Sequence, residues 1–213
     1  MHLRSRTIRI AALLAGTSLL TASSAWAQAQ PTVKDHLDAA VSTVTGSPMA
    51  NLDVDMKHVL DAMKSLDPKP IPKLSPQEAR QQPSAADGVK ALLKEQGKTA
   101  APEPGVTTKE LAYDTAGGSQ KVRIYTPDGA AGPLPVVVYY HGGGFVIADL
   151  DTYDATPRAI AKGAKAVVVS VEYRHAPEAK FPAQHEDAFA AYKWALANAK
   201  SFGGDPSKVA LLG

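Results

Sequence analysis

The sequence predicts an α/β fold, a mostly parallel sheet with helices on both faces, preceded by a helical segment. Three observations carry this. The second half alternates apolar runs of strand length with stretches of helical periodicity. The runs at 135–140 (PVVVYY), 166–173 (AVVVSVEY) and 209–212 (VALL) are continuous rather than alternating, as in strands covered on both faces. Right-handed strand–helix–strand crossovers then place helices on the two sides of the sheet.

The chain opens on Arg4, Arg6 and Arg9, followed by an apolar run over 10–20 that is short for a bilayer. Ala25-Trp26-Ala27 supplies a small-x-small cleavage pattern, so residues 1–27 are expected to be a signal peptide cut after Ala27. A membrane anchor is the competing reading of this segment. The expected location is the periplasm or the exterior, with no stable membrane anchor. Three of the 23 Lys and Arg, and none of the 21 Asp and Glu, precede the cut, so the remainder carries a net charge of −1. The basic balance therefore belongs to the leader, and nucleic acid is not expected as a partner.

Residues 28–104 form the expected N-terminal helical cap region. Met56, Val59, Leu60 and Met63 share one helical face, with Asn51 or Asp53 as cap and Asp67-Pro68 as the stop. Ser75-Pro76-Gln77-Glu78 has the form of a capping box with proline at the first helical position. A third helix is expected over 87–96, with Val89, Leu92 and Leu93 inward and Gly97 ending it.

Residues 105–213 form the expected sheet region. Segments 109–113 and 121–125 read as two antiparallel strands joined through Gly117-Gly118. After the strand ending at Tyr140, a helix begins either at Thr156-Pro157 or near Thr152 with a kink at Pro157. Pro182 opens a long helix whose apolar stripe contains Ala188, Phe189, Ala191, Tyr192, Ala195, Leu196 and Ala199. Residues 209–212 begin a third buried strand.

The absence of cysteine excludes disulfides, thiolate metal sites and a cysteine nucleophile. The six histidines show no metal-ligand spacing; His185-Glu186 begins like H-E-x-x-H, but Phe189 stands where the second histidine belongs. No metal and no cofactor are expected. The chemistry points to His141-Gly142-Gly143-Gly144-Phe145, directly after a buried strand. Ligands of open α/β sheets bind beyond the carboxyl ends of the strands. Glycines there let successive N–H groups aim at one developing negative charge, and one such donor is worth about 3–4 kcal/mol to an acyl-transfer transition state. A flexible glycine turn is the plain alternative. The phosphate-loop layouts G-x-x-x-x-G-K-[ST] and G-x-G-x-x-G do not occur.

Three motifs in this order, His141-Gly142-Gly143-Gly144-Phe145-Val146, Tyr173-Arg174-His175-Ala176-Pro177-Glu178, and Phe181-Pro182-Ala183 with Asp187, resemble the hormone-sensitive-lipase-like branch of the α/β-hydrolases, the HGGG-box bacterial carboxylesterases. Ser75 to Arg80 resembles the N-terminal cap of that family, and the resemblance covers roughly residues 50–213. It implies N-terminal cap helices on an α/β-hydrolase core and a small-molecule ester as substrate. It also implies that the N–H groups of Gly143 and Gly144 form part of an oxyanion hole, with Gly142 and His141 supporting the loop. Tyr173, Arg174, Glu178 and Asp187 would brace that loop from behind.

The triad of this fold runs Ser, acid, His, with the serine on a G-x-S-x-G elbow. Residues 209–213 (VALLG) resemble the strand and first glycine of the elbow, so the chain is expected to be a truncated hydrolase core. Ser170 lies inside a strand, and Ser119, Ser201 and Ser207 lack the elbow glycines. Nucleophile, acid and base are therefore expected to be absent and the chain inactive. The alternatives are a non-catalytic ligand-binding protein on the same scaffold, and a helical interaction module built from 28–104.

Overall fold

The computed structural model of the protein describes residues 52–213. The signal-peptide expectation, and with it the expected location, falls on residues outside that range. Helix α1 (Val54–Ser65) is capped by Asp53, whose Oδ1 accepts from the N–H groups of Asp55 and Met56. Helix α2 (Pro76–Arg80) starts with the expected capping box: Ser75 Oγ accepts from Glu78 N, and Glu78 Oε2 accepts from Ser75 N at 2.9 Å. Helix α3 (Ala85–Glu95) begins two residues earlier than the sequence implies, because Ser84 and Asp87 form a second capping box.

Helices α1 and α3 pack together at Gly88, where a Cβ would lie 3.0 Å from Met63 Cβ and 3.2 Å from the Val59 carbonyl oxygen. This close approach corrects the apolar faces assigned from periodicity. Ala62 is buried between the helices, whereas Met56 and Val89 are exposed. A smooth glycine contact leaves those two larger side chains outside the seam.

The sheet has five strands: β1 (Val106–Thr115), β2 (Gly118–Pro127), β3 (Leu134–Tyr140), β4 (Val167–Val171) and β5 (Gly204–Leu212), in the order β1-β2-β4-β3-β5. It is mixed. β4–β3 and β3–β5 are parallel, while β1–β2 and β2–β4 are antiparallel. The parallel character therefore holds for only one half of the sheet. The β1–β2 hairpin closes at Thr115↔Gly118, so Ala116-Gly117 make the turn and Gly118 already belongs to β2.

Strand β4 is central, and all five of its residues are buried, which is why its sequence is a valine run without alternation. Helix α4 (Ala155–Ala164) covers one face, packing Ala161 against Tyr125, Tyr139 and Val168. Helix α5 (Ala183–Asn198) covers the other, with Ala191 and Ala195 against Val122, Val136, Val138 and Val169. Helix α4 matches neither anticipated start. It begins at Ala155, which puts Pro157 in the first turn, where a missing N–H costs no helical bond.

Two further expectations are corrected. Phe189 faces solvent at 60% exposure, because the buried line of α5 runs through Ala183, Asp187, Ala191 and Ala195. Strand β5 is an edge rather than a buried strand. Among the described residues it pairs with β3 alone, and Leu211 and Leu212 are exposed.

Two arginines join these layers. Arg174 Nε donates to Asp187 Oδ2 at 2.8 Å and Nη2 to Oδ1 at 2.7 Å, while Asp187 is fully buried on α5. The turn residue Gly117 lies directly over that guanidinium. Arg80, at the end of α2, donates to the Val146 and Ala176 carbonyls and pairs in bidentate fashion with Glu178.

Breaking a buried pair costs about 3–5 kcal/mol, and Arg174 keeps some solvent contact, so the lower end applies. Asp187→Ala is expected to lower unfolding stability by about 3 kcal/mol in urea melts. The Arg80 hydrogen bonds hold the Glu178 carboxyl down at about 2, below its ordinary 4.5. A carboxylate depressed in the folded state stabilises above its unfolded pKa and loses that contribution as pH falls through the folded value. The Tm difference between wild type and Arg80→Met should therefore be largest near neutral pH and shrink between about pH 4.5 and 2; a pH-independent difference would assign the effect to packing alone.

Candidate active site: the glycine bend at the tip of β3

The chain leaves β3 at Tyr140 and turns sharply through His141 to Ile147. Gly143 has φ +133° and Gly144 φ +61°, values that side-chain-bearing residues rarely adopt. A Cβ on Gly143 would sit 1.9 Å from the Ile147 carbonyl oxygen, so the bend closes only because none is there. The Gly143 carbonyl accepts from Val146 N and Ile147 N, which fixes the return of the chain. Among the described residues, neither the Gly143 N–H nor the Gly144 N–H donates to a protein acceptor. Two unspent donors thus stand in succession at a strand tip.

The bend lies at the same rim as the end of β5. Tyr139 is in parallel register with Leu212, and a Cβ on Gly213 would be 3.1 Å from the Tyr140 carbonyl oxygen. The VALLG segment and the HGGG segment, distant in sequence, are therefore neighbours.

His141 is 3% exposed and stacks on Tyr173, with ring centroids 4.5 Å apart. Its Nδ1 is 2.8 Å from the Gly142 carbonyl oxygen; a carbonyl only accepts, so Nδ1 carries the hydrogen. The Tyr173 hydroxyl donates to the His141 carbonyl at 2.6 Å. His141 is thus buried at the base of the bend, tied to it through the Gly142 carbonyl. Burial opposes charge on this ring, but Glu172 and the Gly142 carbonyl outweigh it, and its pKa stands above the ordinary histidine value. His175 moves the other way, because burial dominates there.

Around the bend, Arg80 reaches the Val146 and Ala176 carbonyls, and Ala176 N donates to the Phe145 carbonyl at 2.8 Å. Tyr173 bonds the His141 carbonyl, Arg174 bonds Asp187, and Glu178 bonds Arg80. Phe145 is 49% exposed, its ring 5.7 Å from that of His185. A depression of about 530 Å³ is lined by Arg80, Arg174, His175, Glu178 and Lys180 rather than by the glycines.

Three of the serines set aside on sequence grounds are buried or bonded elsewhere. Ser170 is fully buried within β4, Ser207 Oγ donates to Asp205, and Ser201 Oγ donates to the Asn198 carbonyl. The fold does assemble one group that spacing along the chain did not disclose. Ligand-type atoms of His141, Glu172 and His175 lie within 4.8 Å of one another. The Glu172-x-x-His175 interval was the visible half of this cluster; His141 joins it only through the β3–β4 pairing.

Comparisons with known proteins follow the same lines. A family model described as the alpha/beta hydrolase fold matches residues 137–213. The carboxylesterase NlhH of Mycobacterium tuberculosis is 46% identical over 136 residues, which are 61% of this chain and 42% of that protein. The versiconal hemiacetal acetate esterase of Dothistroma septosporum is 48% identical over 93 residues, 44% of this chain and 28% of its own length. Among solved structures, a hyperthermophilic esterase from Pyrobaculum calidifontis superposes with a TM-score of 0.60 at 34% identity, covering 75% of this chain and 48% of that one. EstE1, a thermostable carboxylesterase from a metagenomic library, gives 0.55 at 41% identity, covering 65% and 44%. The chain spans under half the length of each of these relatives. Sequence, sheet and strand-tip loop thus agree: residues 137–213 match the alpha/beta hydrolase fold, and the chain is similar to carboxylesterases over that region.

Proposed function

We propose that these residues serve carboxylic-ester hydrolysis by serine acyl transfer, and that their part in it is to stabilise the oxyanion. One observation carries the reading: two consecutive N–H groups, of Gly143 and Gly144, are unspent at the tip of β3, on the rim where β5 also ends. When a serine oxygen attacks an ester carbonyl, the carbonyl oxygen becomes an alkoxide. Donors already aimed at that position lower the barrier without having to reorganise. His141 keeps the bend in place, and Gly142 lets the chain pass beneath Tyr153, whose hydroxyl would meet a Cβ there at 2.9 Å.

The nucleophile, its base and the acid are not supplied by the described residues, and the reaction needs no cofactor. The substrate is a small-molecule ester with a short or medium acyl group. The exposed Phe145 ring is the apolar surface beside the donors, and the cap is built partly from the N-terminal helices. The leader-like residues 1–27 support a periplasmic or secreted location.

The 213-residue chain, purified free of host esterases, should release no p-nitrophenol from p-nitrophenyl butyrate above the buffer rate. In the product of the full coding frame, Gly143→Ala should lower kcat by about 100- to 1,000-fold, the cost of one misplaced oxyanion donor, with a smaller change in KM. Unchanged kcat in that variant would remove the glycine bend from the mechanism.

A further inference from the structure

Near the glycine bend, one ligand-type atom from each of His141, Glu172 and His175 lies within 4.8 Å of the others. The Nδ1–H of His141 is committed to the Gly142 carbonyl at 2.8 Å, so its Nε2 presents a lone pair. Glu172 Oε2 accepts from Leu150 N at 3.1 Å, which orients Oε1 toward both histidines. His141 Nε2 and His175 Nε2 each lie 3.7 Å from that Oε1, too far for a hydrogen bond, and both nitrogens are buried without a hydrogen-bond partner. Orphaned buried nitrogens are costly unless something fills the gap between them.

We propose that His141, Glu172 and His175 form a binding site for a divalent transition-metal cation, zinc by chemical class. Two imidazole nitrogens and one carboxylate oxygen are a zinc donor set. Zinc bonds of about 2.0–2.2 Å hold tetrahedral ligands about 3.3–3.5 Å apart, so each 3.7 Å His–Glu separation closes by a few tenths of an ångström, while the histidine pair, within 4.8 Å, must draw together further. The hydrogen bond from His141 Nδ1 to a backbone carbonyl is the outer-shell contact that fixes a ligating tautomer. Asp149, held by Thr152, adds negative potential near the site, and Arg80 beside His175 opposes it. Water completes the coordination.

The cation would join the exit of β3 to the exit of β4 and hold the base of the bend from below. Its task is positional, and the site stands whether or not the ester reading holds.

The test is direct metal binding to the full chain. After chelator treatment, the protein is titrated with Zn²⁺ and with Co²⁺, reading stoichiometry by elemental analysis, the visible bands of tetrahedral Co²⁺, and Tm. One equivalent is expected, with tetrahedral Co²⁺ bands and a raised Tm. Glu172→Gln and His175→Leu, each shown folded by circular dichroism, should weaken binding by more than about 100-fold, while His185→Ala leaves it intact. No stoichiometric binding to wild type, meaning that a water or a proton fills the gap, would overturn the proposal. So would binding that survives both ligand substitutions.

Discussion

The Tyr173 hydroxyl meets the His141 carbonyl at 2.6 Å, and the shape of the glycine bend rests on this buried contact. Tyr173 follows the central strand β4, and His141 follows its parallel neighbour β3, so one hydrogen bond converts strand pairing into loop position. Losing it would leave a buried carbonyl unsatisfied, at about 1–3 kcal/mol. The bend itself gains little from local structure, since its glycines contribute no side-chain packing. What fixes it is the layer beneath: the stacked rings of Tyr173 and His141, and the Phe145 carbonyl tied to Ala176 N.

That layer is braced in turn by charge. Arg174–Asp187 is bidentate with a fully buried carboxylate, whereas Arg80–Glu178 lies nearer solvent. Screening makes the second pair the weaker in Coulombic terms, yet Arg80 also satisfies two carbonyls from different loops. Its contribution is geometric as much as electrostatic: it fastens α2 to both segments that frame the site.

What was legible in the sequence follows the range of the forces involved. The capping box at Ser75 and the valine run of β4 are decided within a few residues and are found where the pattern implies, and the hairpin expected through Gly117-Gly118 turns one residue earlier, at Ala116-Gly117. Met56, Val89 and Phe189 read as core, because periodicity identifies an apolar face without knowing whether a partner reaches all of it; they are exposed. The antiparallel β1–β2 pair was legible, but the pairing of β2 with β4 was not, since it depends on a contact some fifty residues apart. At the site, the glycine triplet and its position after a strand were plain. The approach of His141 to Glu172 and His175 was not, because it is created by sheet register alone.

Gly117 lies in a surface turn far from the glycine bend along the chain, yet an added methyl there would come within 2.0 Å of Arg174 Nη1. A guanidinium pushed aside would surrender Asp187, and the segment leading out of β4 would lose its anchor. The hairpin tip is thereby bound to the precision of a loop it never touches, and its tolerance for side chains is set by chemistry on another edge of the molecule.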